Sequence, residues 1–286
     1  MRKQSKFRFI LSLSTFLYAH VCVCLAQSPI GRITPLDVRK YTVLDSANYL
    51  FTYQLNFMRD TVENKKETNI MALLVGNKGS KFFNNFYLDN ESALKEQYKK
   101  GEVRNMDAVG LGGTEIYKLY TSKMQKVTVM LFGVRNTVYT YAESLQGQSW
   151  LIGPEKKKIH NYVCQKATTT YLGRKYIAWF TPEIPVSEGP WKFYGLPGLI
   201  LDVSDERKEY HFMCIGIEKM KNKKPIVEYN AKYEKTDRES INKVIKKLHT
   251  HFSQMLTSQG YVGEINGNDI NNREQLTFIY NPIELE

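Results

Sequence analysis

Few residues in this 286-residue chain are spaced for chemistry. The nearest to an activated nucleophile is Cys164 with His160 or His211, a thiol that an imidazole could deprotonate. A cysteine inside a strand of an oxidising compartment is more often structural, and Cys164 is read that way. Ser144 and Ser149 have no recognisable base partner, and neither Gly-x-Ser-x-Gly nor His-Glu-x-x-His occurs. Aspartates and glutamates are scattered, so spacing alone identifies no acid–base pair. Gly110-Leu111-Gly112-Gly113 lacks both a flanking strand–turn–helix unit and a Walker lysine, so it reads as a flexible connection. Two distant cysteines and four histidines beyond residue 26 (His160, His211, His249, His251) make no metal-ligand pattern. No metal or cofactor is expected, and the chain reads as a non-enzyme.

Those residues belong to a chain with an export signature. Arg2, Lys3, Lys6 and Arg8 precede a mostly apolar run from Phe9 to Cys24, and Cys24-Leu25-Ala26 ends in small residues. Residues 1–26 are read as a signal peptide and residues 27–286 as a single β-rich domain. The four basic residues of the leader, taken from a net charge of +11, leave +7. That excess is mild. Its runs (Lys156 to Lys158, Lys221 to Lys224 and Lys243 to Lys247) read as solvated turns or helix faces, not as a nucleic-acid surface. Peripheral contact with an anionic membrane or sugar surface stays open. Cys164 and Cys214 remain after the leader, either as one disulfide or as two buried thiols.

Strands must position most of the chain. Residues 48–58, 69–75 and 81–87 alternate or carry β-formers, with a turn at Gly76-Asn77-Lys78-Gly79. A short helix is expected from Asp89 or Asn90 to Gly101. A meander follows over 115–121, 126–133, 136–143, 148–152, 158–170, 174–180, 199–204 and 209–219, and its short links imply antiparallel pairing. Thr236-Asp237-Arg238-Glu239 is a capping box. It opens an amphipathic helix whose apolar stripe is Ile241, Val244, Ile245, Leu248, Phe252 and Met255. Leu276 to Tyr280 reads as a last strand. The expected fold is mainly β: an antiparallel curved sheet or partly open barrel with one packed C-terminal amphipathic helix.

The densest stretch is 148–219. Pro182, Pro185 and Pro190 keep residues 181–190 from pairing fully in a sheet. In Leu196-Pro197-Gly198-Leu199, Pro197 presets φ and Gly198 accepts positive φ, which suits a type II turn. Trp179, Phe180, Trp191, Phe193 and Tyr194 therefore crowd one stiff loop, with Lys166 and Arg174 near it. The candidate ligand- or partner-binding set is Lys166, Arg174, Trp179, Trp191, Phe193, Tyr194, Leu196 and Pro197. Packing into a core is the competing reading for the aromatics, and an internal ion pair for the cations.

The words in this region resemble a known family. Gly195 to Ile200 spells GLPGLI, and the CQKA step at 164–167, GRKYIAWFT at 173–181, GPWKF at 189–193 and YNPIEL at 280–285 fall in the same order. The chain resembles the GLPGLI, or Porph_ging, family of secreted Bacteroidota proteins. That resemblance implies a β-rich protein of the periplasm or outer membrane, often associated with a TonB-dependent outer-membrane receptor. It brings no established reaction. The expectation is an exported envelope binding or accessory protein that holds an apolar, lipid-like ligand or a receptor. The alternatives are an envelope hydrolase with an unrecognised site and a structural envelope component.

Overall fold

The computed structural model describes residues 40–90, 92, 96, 113–131, 137–258, 264–265, 268–269 and 279–286. The leader, residues 110–112 of the glycine-rich loop, most of the helix expected after Asp89 and most of the strand expected at 276–280 lie outside them. The strands are β1 (Tyr41–Ser46), β2 (Tyr49–Asp60), β3 (Lys65–Val75), β4 (Gly79–Asn84), β5 (Thr114–Leu119), β6 (Met124–Met130), β7 (Val138–Ser144) and β8 (Leu151–Ile159). They continue as β9 (Tyr162–Tyr171), β10 (Arg174–Thr181), β11 (Leu199–Asp205), β12 (Tyr210–Lys219), β13 (Pro225–Tyr229) and β14 (Tyr233–Lys235). The helices whose bounds lie among the described residues are α1 (Phe86–Asp89), α2 (Arg238–Thr250) and α3 (Phe252–Ser258). A two-residue pair, β15 (Glu264–Ile265) and β16 (Asn268–Asp269), follows.

Among the described residues, twelve strands form one sheet in the order β14-β7-β6-β5-β4-β3-β2-β12-β11-β10-β9-β8. Two antiparallel meanders, β2 to β7 and β8 to β12, are joined where β12 returns to pair with β2. The fold is mainly β, as expected, and the sheet is not closed into a barrel. One pairing departs from the antiparallel expectation: β14 lies parallel to β7. That geometry is open to it because the whole second meander lies between the two strands in sequence.

The alternation in β2 shows why the sheet has a buried inner face. Phe51, Tyr53, Leu55 and Phe57 point inward while their neighbours are half-exposed. Neighbouring strands lie about 4.8 Å apart, so β4 and β12, three spacings away, would be about 14 Å apart in a flat sheet. Yet the Phe82 ring in β4 lies 6.2 Å from the Phe212 ring in β12, so the side chains converge over a curved inner face. In β3, Met71 to Val75 are buried without alternation. The second face of this strand is covered by a separate two-stranded sheet of β1 and β13, through Ile226 and Tyr229 and the adjoining Ala47.

The amphipathic helix is present and its stripe packs on the sheet core through Ile241 and Leu248. Its start is one residue later than the capping box implies. Asp237 is the N-cap and its carboxylate accepts from the Ser240 N–H at 2.8 Å. The helix breaks at His251 before α3 resumes, so the stripe is split between two helices. Lys156 to Lys158, expected in a turn, lie in the edge strand β8.

Candidate functional site

Between β10 and β11, residues 182–198 fold back over the inner face. Trp191, Phe193 and Leu196 are at most 1% exposed. Phe193 meets the Tyr176 ring edge-on at 4.8 Å and the Trp191 ring at 5.2 Å. The loop reaches this position through strained or crowded backbone. Trp191 has φ +52°, and Gly195, with φ +99°, passes 3.0 Å from Gly147 measured from where a Cβ would sit. The end of the loop is not the expected type II turn. Leu196 O accepts from Gly198 N at 2.8 Å, a three-residue turn about Pro197, while Leu199 N donates to Ile184 O. Gly198 does have positive φ, at +147°.

Buried charges fasten this loop to the sheet. Lys118 in β5 donates to Glu188 at 2.7 Å, to Phe193 O at 2.7 Å and to Gly189 O at 3.2 Å. The other Glu188 oxygen accepts from the Ser80 and Tyr120 hydroxyls at 2.8 and 2.6 Å. Every partner of this pair is in place, which is the condition for a buried ion pair to be tolerated. Burial still lowers the Lys118 pKa below the ordinary 10.5, with Glu188 opposing it. At the far side of the loop, Lys192 bridges Glu143 at 2.9 Å and Glu284 at 2.8 Å, and donates to the Tyr141 hydroxyl at 2.9 Å.

A third buried cation grips the C-terminal strap, residues 279–286. Arg174 at the start of β10 pairs with Asp205 at 3.1 Å and Glu209 at 2.6 Å. Its second terminal nitrogen donates to Asn281 Oδ1 at 2.7 Å and Pro282 O at 2.6 Å. Burial alone would lower the Arg174 pKa, but Glu209 and Asp205 outweigh it and hold it up. Tyr210 donates to Asn281 O at 2.6 Å, and Leu285 N donates to Leu172 O at 2.9 Å. Gly173 has φ +77°, and a Cβ there would lie 2.7 Å from Leu285 Cβ. Glycine is required both by the turn and by the passing strap.

The structure thus divides the sequence-expected residues. Arg174, Trp191, Phe193 and Leu196 come together on the inner face, where the aromatics act as core and the arginine is internally paired. Tyr194 is half-buried beside Tyr120, and Pro197 is exposed at the rim. Lys166 and Trp179 lie on the opposite face. Lys166 pairs with Glu155 at 2.9 Å, and the Trp179 ring, half-buried, is covered by Lys157 Nζ at 4.4 Å. Cys164 and Cys214 carry no disulfide and are both buried thiols. Burial pushes them up to about 11 and about 12. His160 bonds to Cys214 O and His211 faces Asp202, so neither imidazole is turned to a thiol in these contacts.

Sequence reasoning missed Lys192, Lys118, Glu188, Asp205, Glu209 and the strap residues Asn281 to Glu284. Lys192 stood inside the quoted aromatic block, and a lysine between Trp191 and Phe193 was the available signal. Among the described residues, no group of three or more His, Cys, Asp or Glu is placed to hold a metal ion. The arrangement can bind chain segments: its donors are spent on carboxylates and on backbone carbonyls.

The model of a family described as "Protein of unknown function (Porph_ging)" matches residues 173–202. That match bears out the resemblance carried by the GRKYIAWFT and GLPGLI words. No curated protein matches the chain. Among solved structures, PNGF-II in space group C2 is 17% identical, with a TM-score of 0.45, over 70% of this chain and 33% of that one. PNGF-II in space group P21 is 16% identical, with a TM-score of 0.46, over 72% of this chain and 34% of that one. The chain spans about a third of the length of those structures.

Proposed function

Taking the Porph_ging assignment at residues 173–202 as premise, we propose that this chain is an exported cell-envelope binding or accessory protein. It works without catalysis, alongside a partner such as a TonB-dependent outer-membrane receptor. One observation carries the binding reading. The family-matched segment builds a clasp: Arg174 holds the Asn281 side chain and the Pro282 carbonyl, and Lys192 holds Glu284. Side chains that read backbone carbonyls are suited to recognising an extended peptide. A protein partner is favoured over a lipid-like ligand, because Trp191, Phe193 and Leu196 already fill the inner face. Export is supported by the basic, apolar and small-residue order of residues 1–26.

Fractionation of cells producing the tagged full chain, followed by chemical cross-linking in the intact envelope, tests this reading. The expected result is recovery in the envelope fraction with one cross-linked protein partner. A chain confined to the cytosol, or an envelope chain that cross-links to nothing, would overturn it. Turnover of an envelope polymer by the purified chain would favour the hydrolase alternative.

A further inference from the structure

We infer that the groove holding residues 280–285 is a peptide-recognition site, and that the chain's own residues there are a placeholder for a segment of a partner protein that follows the same path. The segment it fits has the chemistry asparagine–proline–aliphatic–acidic. This deepens the binding reading above and rests on it.

The groove reads the tail in two ways. Side-chain donors take consecutive main-chain carbonyls: Tyr210 that of Asn281 at 2.6 Å, Arg174 that of Pro282 at 2.6 Å, and Tyr176 that of Ile283 at 3.4 Å. Such contacts fix the path of the backbone, which bends at Ile283, and are indifferent to its side chains. Three side chains then set the sequence. Asn281 accepts from Arg174 and donates to Met58 O at 2.9 Å. Ile283 is buried in the inner core, and Glu284 meets Lys192 at 2.8 Å. Pro282 has no N–H, so its place in the groove calls for no acceptor.

The tail fits this site incompletely. Glu284 Oε2 is buried and has no hydrogen-bond partner. Arg238 lies 3.9 Å from that atom and 3.8 Å from Glu143, too far for a hydrogen bond to either. Its guanidinium reaches Glu286 O at 3.2 Å instead. A buried carboxylate oxygen without a donor is costly. A segment that brings its acidic group onto Arg238 as well as Lys192 would therefore displace the tail. Until it does, the tail lowers the groove's apparent affinity in proportion to the fraction of time it is seated.

The probe is a fluorescent synthetic peptide, IYNPIELE, matching residues 279–286, added to purified full-length protein. In the Ile283→Asp chain the tail's apolar anchor is lost. Peptide binding to that chain is expected to be at least about tenfold tighter than to the unaltered chain. Peptides carrying Asn281→Ala or Ile283→Asp should lose at least about tenfold. Failure of the peptide to bind a folded Ile283→Asp chain, or binding indifferent to those peptide changes, overturns the inference. So does a dimer of the unaltered chain formed through exchanged tails, since the tail would then serve a second copy.

Should Ile283→Asp not fold, hydrogen exchange on the unaltered chain decides. The Leu285 amide is expected to exchange at least about a hundredfold faster than the β10 amides, through local release of the strap. Exchange of Leu285 only together with β10 overturns the inference. The peptide assay is independent of location. A chain that binds the peptide yet stays cytosolic sinks only the envelope reading, and an envelope chain with a groove that ignores it sinks only this one.

Discussion

At position 198 only glycine fits. Its φ of +147° is foreign to residues with a side chain, and a Cβ would lie 2.1 Å from Thr181 O. The collision is with backbone, so no side-chain rotation relieves it. Gly198→Val is expected to cost at least about 2 kcal/mol, strain and clash together, read as a lower urea midpoint at unchanged slope. An unaltered midpoint would refute the geometry assigned to the Pro197 turn. Lys118 supplies a second test at this scale. Removing it in Lys118→Met strands a buried Glu188 with the Ser80 and Tyr120 hydroxyls and the long Gly189 N–H contact, which should cost about 3–5 kcal/mol. Replacing both partners, as Lys118→Met with Glu188→Leu, should recover much of that loss. If the double change proves as harmful as the single one, the carboxylate is not what suffers.

Among the elements, the helix α2 offers the cleanest measurement. Asp237 satisfies a first-turn N–H through Ser240, so Asp237→Ala should lower stability by about 1 kcal/mol in thermal unfolding, while Thr236→Ala should do far less. The reverse ranking would restore the capping box read from Thr236 and Glu239. That one-residue error shows the limit of the sequence at this scale. Thr236 and Asp237 are both good caps, and only the backbone conformation separates them. Strands with a clear period were legible, β2 above all, because its alternating aromatics leave no other pattern. The pair of β1 and β13 and the short β14 were not, since YTVLDS and PIVEY carry little alternation and depend on a face that β3 supplies. Lys156 to Lys158 looked like turn residues because three charges in a row do not suit a buried strand. They lie in β8 because it is the edge, where lysine and Pro154 discourage pairing with another chain. The candidate site was half legible. The aromatic loop was visible as a block, but Arg174 meets Asn281 across more than a hundred residues, and no local pattern reports that contact.

For the molecule as a whole, burial of tyrosines sets the alkaline limit. Tyr53, Tyr117, Tyr120, Tyr141, Tyr176 and Tyr210 all have pKa values raised above the ordinary 10.0, chiefly by burial. The folded chain keeps these protons where the unfolded chain would lose them. Their stabilising share is therefore whole below pH 10 and lost as pH rises above it, at about 1.4 kcal/mol per pH unit for each group. Lys118, with its pKa lowered, works in the opposite sense up to its ordinary 10.5, but it is one group against six. Domains of ordinary stability, about 5–15 kcal/mol, cannot survive that slope for two units. Tyrosinate absorbance and circular dichroism should then change together in one steep step between about pH 11 and 12. Gradual ionisation with the sheet intact would show that these phenols are reached by water.

The seam between the two meanders has a consequence in time. Phe57 of β2 has Tyr210 of β12 as its partner, roughly 150 residues later in the chain. A ribosome adding about 5–20 residues per second needs on the order of ten to thirty seconds to supply that partner. Until then the first meander has a naked flank rich in aromatic rings, and a newborn chain is prey to sticking. Holding it unfolded until synthesis ends, or shielding that flank with a chaperone, is what this order of strands demands.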